Sequence, residues 1–216
     1  MHIPDAFLPL SHALIYWIIA IPFILMSLKW AREELDDLKI PLLAALAAAI
    51  FAIQAMNIPI GMGTSGHMVG AAMAAIILGS PWAGVLLLTL VLIVQSFVFG
   101  DGGVTALGAN ILNMGIISGF VGYYTFVALK KVNLNIGVAA FAGAWLGLFI
   151  SAIVCSFEMT LSGIFPLVGG LIAMGTYHAI IGVIGEGLIT AVAVSAIASA
   201  RPDLLPETFT GDVHNE

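Results

Sequence analysis

His2 is the second residue of this 216-residue chain, and a histidine at that position carries a distinctive chemistry. If Met1 keeps an unblocked amine, that amine, the His2 backbone nitrogen and the His2 Nδ1 can bind one metal ion together. A five-membered and a six-membered chelate ring then share the amide nitrogen, held flat by the planar peptide. One equatorial position stays open. An imidazole such as His67, in the run Gly61-Met62-Gly63-Thr64-Ser65-Gly66-His67, would fill it. Four coplanar nitrogens suit Ni2+ or Cu2+ and tolerate Co2+. Zn2+ prefers a tetrahedron, and Mg2+ and Ca2+ prefer oxygen. The initiator Met must be retained, which the bulk of His2 favours, and the nitrogens must lose protons, so affinity should fall in acid. Taken singly, a histidine at a terminus or in a glycine loop more often has no ligand role.

A membrane must position these groups. Hydrophobic residues make up 61% of the chain and charged ones only 8%, against roughly a quarter in soluble domains. Mean hydropathy is +1.14. This composition excludes a soluble enzyme, a disordered chain and a nucleic-acid binder; the net charge of −6 leaves no basic surface for polyanions. The lone Cys155 lies in an apolar run and builds no disulfide framework. A spanning helix needs about 20 apolar residues. The pattern predicts an all-α integral membrane protein with seven transmembrane helices, at 10–28, 40–57, a short third at 66–79, 82–99, 105–129, 134–157 and a long, glycine-interrupted 169–200. With seven spans, Lys29, Arg32, Lys39, Lys130, Lys131 and Arg201 all fall on one side. The positive-inside rule then puts the N-terminus outside and the C-terminus in the cytoplasm. Residues 1–200 read as one domain with a metal-binding segment at 1–9, followed by a polar cytoplasmic tail at 201–216 that should fray. No GxxxxGK[ST] loop occurs, and few ionisable groups (His178, Glu186 and Glu158) fall within the spans. Transport would therefore draw its energy from another subunit.

The opening Met1-His2-Ile3-Pro4-Asp5-Ala6-Phe7-Leu8-Pro9 resembles the CbiM/NikM family, the substrate-binding components of energy-coupling-factor (ECF) transporters for cobalt and nickel. Gly66-His67-Met68-Val69-Gly70, the run from Gly100-Asp101-Gly102-Gly103 to Asn110, Asn113-Met114-Gly115, and His178 with Glu186 carry the resemblance along nearly the whole chain. Ala6 departs from it, since the family usually has Gly there, and this questions the local turn. The resemblance implies seven spans, one more at the front than other such components have. It implies Met1 (amine), His2 (backbone nitrogen and Nδ1) and His67 (Nε2) as ligands of Ni2+ or Co2+, carried as substrate with no organic cofactor. Asp101, Asn110, His178 and Glu186 then invite supporting roles, holding His2, His67 or the outer loops; bridging helices is the other reading. The face Ala44, Ala48 and Ala52 would dock on a transmembrane coupling subunit, unless it packs within the chain. Two cytoplasmic ATPase subunits and a small accessory membrane subunit complete the implied assembly, in a prokaryotic cell membrane. The chain itself would be non-catalytic. Two rivals are a stand-alone secondary metal carrier or channel, and a rhomboid-like intramembrane serine protease using Ser65 and His178. The upstream HxxxxHxxxN segment of rhomboids is missing.

Overall fold

The computed structural model describes residues 1–61 and 64–210. The chain enters helix α1, Leu10–Glu34, directly after Pro9. Ala13, Ala20 and Ser27 face inward at a seven-residue repeat, so a narrow stripe of small side chains seats α1 while most of its surface is left exposed. Helix α2, Lys39–Gln54, buries Leu43, Leu46, Ile50 and Gln54 along one stripe. Ala44, Ala48 and Ala52 lie on its exposed side.

The next segment differs from the predicted third span at 66–79. It opens as an antiparallel hairpin, β1 (Ile58–Gly61) with β2 (Thr64–Gly66), Ile58 opposite Gly66. Helix α3 covers only Ala71–Ile77, about 10 Å of rise. Glycines explain the shortening. Gly70 sits at φ +80°, and a Cβ there would strike the Ile50 side chain at 2.7 Å, so the chain turns into the helix only at this residue. All seven residues of α3 are buried, which makes it the centre of the core rather than a lipid-facing span.

Helices α4 (Pro81–Phe99), α5 (Leu107–Lys131), α6 (Ile136–Leu161) and α7 (Leu167–Ala200) follow. Ser80 caps α4, with Pro81 at its first position, and Asn135 caps α6. Together with α1, these are the five helices among the described residues that are long and apolar enough to cross a membrane; α2 has 16 residues. The long last helix, expected to tilt or break near its glycines, runs unbroken as α7 with a π-helical turn at Gly182–Leu188. Similar turns lie at Gln95–Phe99 in α4 and Ile111–Ile117 in α5.

The two ends of the bundle differ. At one end Glu34, Lys39, Gly79, Asp203 and Pro206 line a shared groove, and the Tyr123 hydroxyl donates to the Gly79 carbonyl at 2.9 Å. The tail expected at 201–216 packs there as far as Phe209, and residues 211–216 lie outside the described residues. Leu205 and Phe209 are buried, and Phe209 packs edge-on against Phe126 with ring centres 4.9 Å apart. Burying these apolar side chains outweighs the polarity of their neighbours. At the other end gather residues 1–9, the hairpin and the glycine turn after α4.

Candidate metal-binding site

The N-terminal segment is tucked inside the outer end of this fold. Met1 and Ile3 are fully buried and His2 is 4% exposed. Asn110, one residue before the π-turn of α5, grips Ile3 by its backbone. Its Oδ1 accepts the Ile3 N–H at 2.8 Å and its Nδ2 donates to the Ile3 carbonyl at 3.1 Å. The same carbonyl accepts the Gly103 N–H at 2.9 Å. Asp5 accepts from the Thr105 hydroxyl at 2.6 Å and from the backbone N–H groups of Thr105 and Val104. Those bonds, led by the Thr105 hydroxyl, hold the Asp5 carboxyl below its ordinary range. The glycines of the turn permit this close docking: a Cβ on Gly102 would lie 3.0 Å from the His2 ring, and one on Gly103 would run into the Asp5 backbone.

His2 and His67 come together. Their rings stack with centres 4.5 Å apart and planes 26° from parallel. Each ring has one nitrogen engaged. His2 Nε2 faces the Gln95 Oε1 at 3.1 Å, and His67 Nδ1 faces the Met68 carbonyl at 2.7 Å. The other two nitrogens, His2 Nδ1 and His67 Nε2, are buried and find no hydrogen-bond partner among the described residues. Buried polar atoms are rarely left so. Asp101 lies 3.3 Å from His2 Nδ1 and accepts from Asn57 at 2.8 Å, at the rim. Glu186, in the π-turn of α7, accepts the N–H groups of Val69 and Gly70 at 2.6 and 2.9 Å, and so fixes the segment that follows His67. His178 bonds its own helix through Nδ1 to the Met174 carbonyl. It is buried and makes no hydrogen bond to His2 or His67 among the described residues. Met62, Gly63 and the side chain of Ser65 lie outside the described residues.

The electrostatics suit nitrogen ligation of a cation. Burial lowers the Met1 amine from 8.0 to about 5, opposed by Cys155 and Asp101. Burial and then the neighbouring amine lower His2 from 6.5 to about 4, opposed by Asp101 and Gln95. Both groups are therefore neutral at pH 7, each carrying a nitrogen lone pair. Among the described residues no three His, Cys, Asp or Glu side chains form a metal cluster. Two imidazoles thus need main-chain nitrogens to complete a coordination shell, and Met1 and His2 bring two.

Sequence reading passed over Gln54, Gln95 and Asp5. The signal was available for the two glutamines: Gln54 continues the inward stripe of α2, and Gln95 is a lone amide in an apolar helix. Polar groups in such places need partners.

Five helices long and apolar enough to cross a membrane, with buried polar groups gathered at one end, mark a multi-pass membrane protein. The chain belongs to the CbiM family, the cobalt uptake substrate-specific transmembrane region, whose family model matches residues 2–204. A fused nickel transport protein NikMN, so named in Archaeoglobus fulgidus, is 45% identical over 210 residues, covering 96% of this chain and 68% of that one. The cobalt transport protein CbiM of Thermosipho melanesiensis is 34% identical over 206 residues, covering 91% of this chain and 86% of its own. A crystal structure of a truncated transition metal transporter matches with a TM-score of 0.86 at 31% identity, covering 91% of this chain and 98% of that one.

Proposed function

We propose that this chain is the substrate-capturing subunit of an ECF-type importer, and that it holds Ni2+ or Co2+ at the outer face of a prokaryotic cell membrane. The ligands are the Met1 amine, the His2 backbone nitrogen and Nδ1, and the His67 Nε2. One observation carries the reading: His2 Nδ1 and His67 Nε2 are buried without a hydrogen bond among the described residues, on stacked rings whose other nitrogens are engaged. A cation between nitrogen lone pairs satisfies both. Asn110, Asp5 and Glu186 keep the two ligand segments docked.

Seven crossings fit this reading. The segment from His67 to Gly79 begins beside the N-terminal residues and ends in the groove with Glu34 and Lys39. Its seven-residue helix accounts for about 10 Å of that path. All six basic residues then lie at the groove end, which is the cytoplasmic one. The chain carries no ATP-binding loop, so a coupling subunit and two ATPases supply the power stroke, with a small accessory membrane subunit. Ala44, Ala48 and Ala52 face away from the chain's own core and offer the docking face.

The test is a pair of calorimetric Ni2+ titrations, on the intact protein and on one extended by a single residue before Met1. The extension moves the amine out of the chelate, so tight binding should vanish. Equal affinity in the two proteins would refute the ligand set.

A further inference from the structure

Gln54 ends α2 and Gln95 opens the π-turn of α4; the first is fully buried and the second 2% exposed. They form a line of hydrogen bonds between the two proposed ligand segments. Gln54 Nε2 donates to the Val69 carbonyl at 2.7 Å. Gln95 Nε2 donates to Gln54 Oε1 at 2.9 Å. Gln95 Oε1 then faces His2 Nε2 at 3.1 Å.

The direction of this line is forced. A carboxamide has one accepting and one donating end, and its orientation follows from its surroundings. The Val69 carbonyl can only accept, so Gln54 must turn its NH2 group to it and its oxygen to Gln95. Gln95 must then give its NH2 group to Gln54 and its oxygen to His2. An oxygen only accepts, so the His2 proton sits on Nε2 and the lone pair on Nδ1. Reversing the line would set two buried oxygens against each other at Val69.

We infer that Gln54 and Gln95 are positioning residues that fix His2 in the Nε2–H tautomer, the one whose Nδ1 can ligate a metal. An opposing influence gives the device its purpose. Asp101 Oδ1 stands 3.3 Å from His2 Nδ1, and a carboxylate there favours a proton on Nδ1, the atom that must stay bare. At His67 one contact does the same work, since the Met68 carbonyl faces Nδ1 and leaves the lone pair on Nε2. Among the described residues His2 Nε2 meets the Gln95 side chain rather than a main-chain carbonyl, so its tautomer is set from Val69, two residues beyond His67, through two side chains. Glu186 holds the N–H of that same Val69. The anchor of the line is thus itself fixed.

The inference rests on the proposed ligand role of His2 Nδ1 but is tested apart from it. The full chain, metal-free in detergent micelles and labelled with 15N-histidine, is read by NMR, with the His2 signals assigned by their loss in His2→Ala. The wild type should show a proton on Nε2 and an unprotonated Nδ1. Gln54→Leu removes the fixed end of the line, and a substantial Nδ1–H population should appear. The double variant Gln54→Leu/Gln95→Glu should return the Nε2–H form, because a carboxylate accepts without needing a partner to orient it. Ni2+ affinity should fall about 10–100-fold in Gln54→Leu and recover in the double variant. A wild-type His2 protonated on Nδ1 overturns the inference, and needs no variant to fold. So does a Gln54→Leu protein that stays wholly Nε2–H. A tautomer shift with unchanged Ni2+ affinity upholds the inference and instead sinks His2 Nδ1 as a ligand.

Discussion

Ala6 shows how a single backbone angle bears on the site. Its φ is +69°, in the left-handed region, which costs a residue with a Cβ about 1–2 kcal/mol. The usual glycine of the family fits that angle. Ala6→Gly should therefore favour the docked N-terminal segment by a few tenths to about 1 kcal/mol, the gain being trimmed by the greater freedom of undocked glycine. Ala6→Val should disfavour it more than Ala does. Amide exchange of residues 2–9 measures both. The same segment is sensitive to pH. The Met1 amine is held at about 5 when docked, against its ordinary 8.0. Between these values the undocked segment takes up a proton that the docked one refuses, so docking is fully favoured above about pH 8 and weakens as pH falls towards 5. His2, at about 4 against 6.5, adds to the loss below its ordinary value. Exchange of residues 2–9 in the metal-free protein should be more protected at about pH 8 than at about pH 5, after correction for intrinsic rates.

Among the elements, the π-turns recur where polar groups are buried. Gln95 opens one, Asn110 precedes another whose Asn113 donates to Glu158, and Glu186 sits within the third. A wider turn re-aims side chains that an unbroken α-helix would point elsewhere. Glu186 links two elements far apart in sequence by accepting the backbone N–H groups of Val69 and Gly70, just before α3. In Glu186→Ala these donors lose their partner in a dry place, at about 1–3 kcal/mol each. Thermal unfolding should show that loss, and Ni2+ affinity should drop with it because His67 is released. Glu186→Gln keeps one accepting oxygen and should fall between the two.

For the whole molecule, the exposed methyl face of α2 is the surface that can be changed without touching the site. Ala44, Ala48 and Ala52 line its outer side, whereas Gln54 reaches inward from the same helix. Ala48→Leu should leave Ni2+ affinity and thermal stability within about 0.5 kcal/mol of wild type, as surface substitutions do. It should abolish co-purification with the proposed coupling subunit, because close approach of two helices needs small residues. Retained co-purification would move the docking face elsewhere on the chain. At the opposite end, Leu205 lines the groove and Phe209 is buried beside Phe126, which anchors the tail up to that point.

Composition alone determined that lipid surrounds this chain, because 61% hydrophobic residues leave no other solvent for it. Run lengths located α2 and α4–α7 to within a few residues, since each apolar run is long and bounded by charge or glycine; α1 runs on past its apolar stretch, through charged residues, to Glu34. The expectation that His2 meets a loop histidine came from chelate chemistry, which depends on the covalent order of the first two residues, and the two rings do stack. The hairpin and the seven-residue α3 were not legible, because a glycine-rich apolar stretch has the same hydropathy whether it spans or is packed in the core. Nor was the line from Val69 through Gln54 and Gln95 to His2. Its members lie up to 93 residues apart, and a hydrogen bond's direction is set by which atoms meet, which no run of sequence contains.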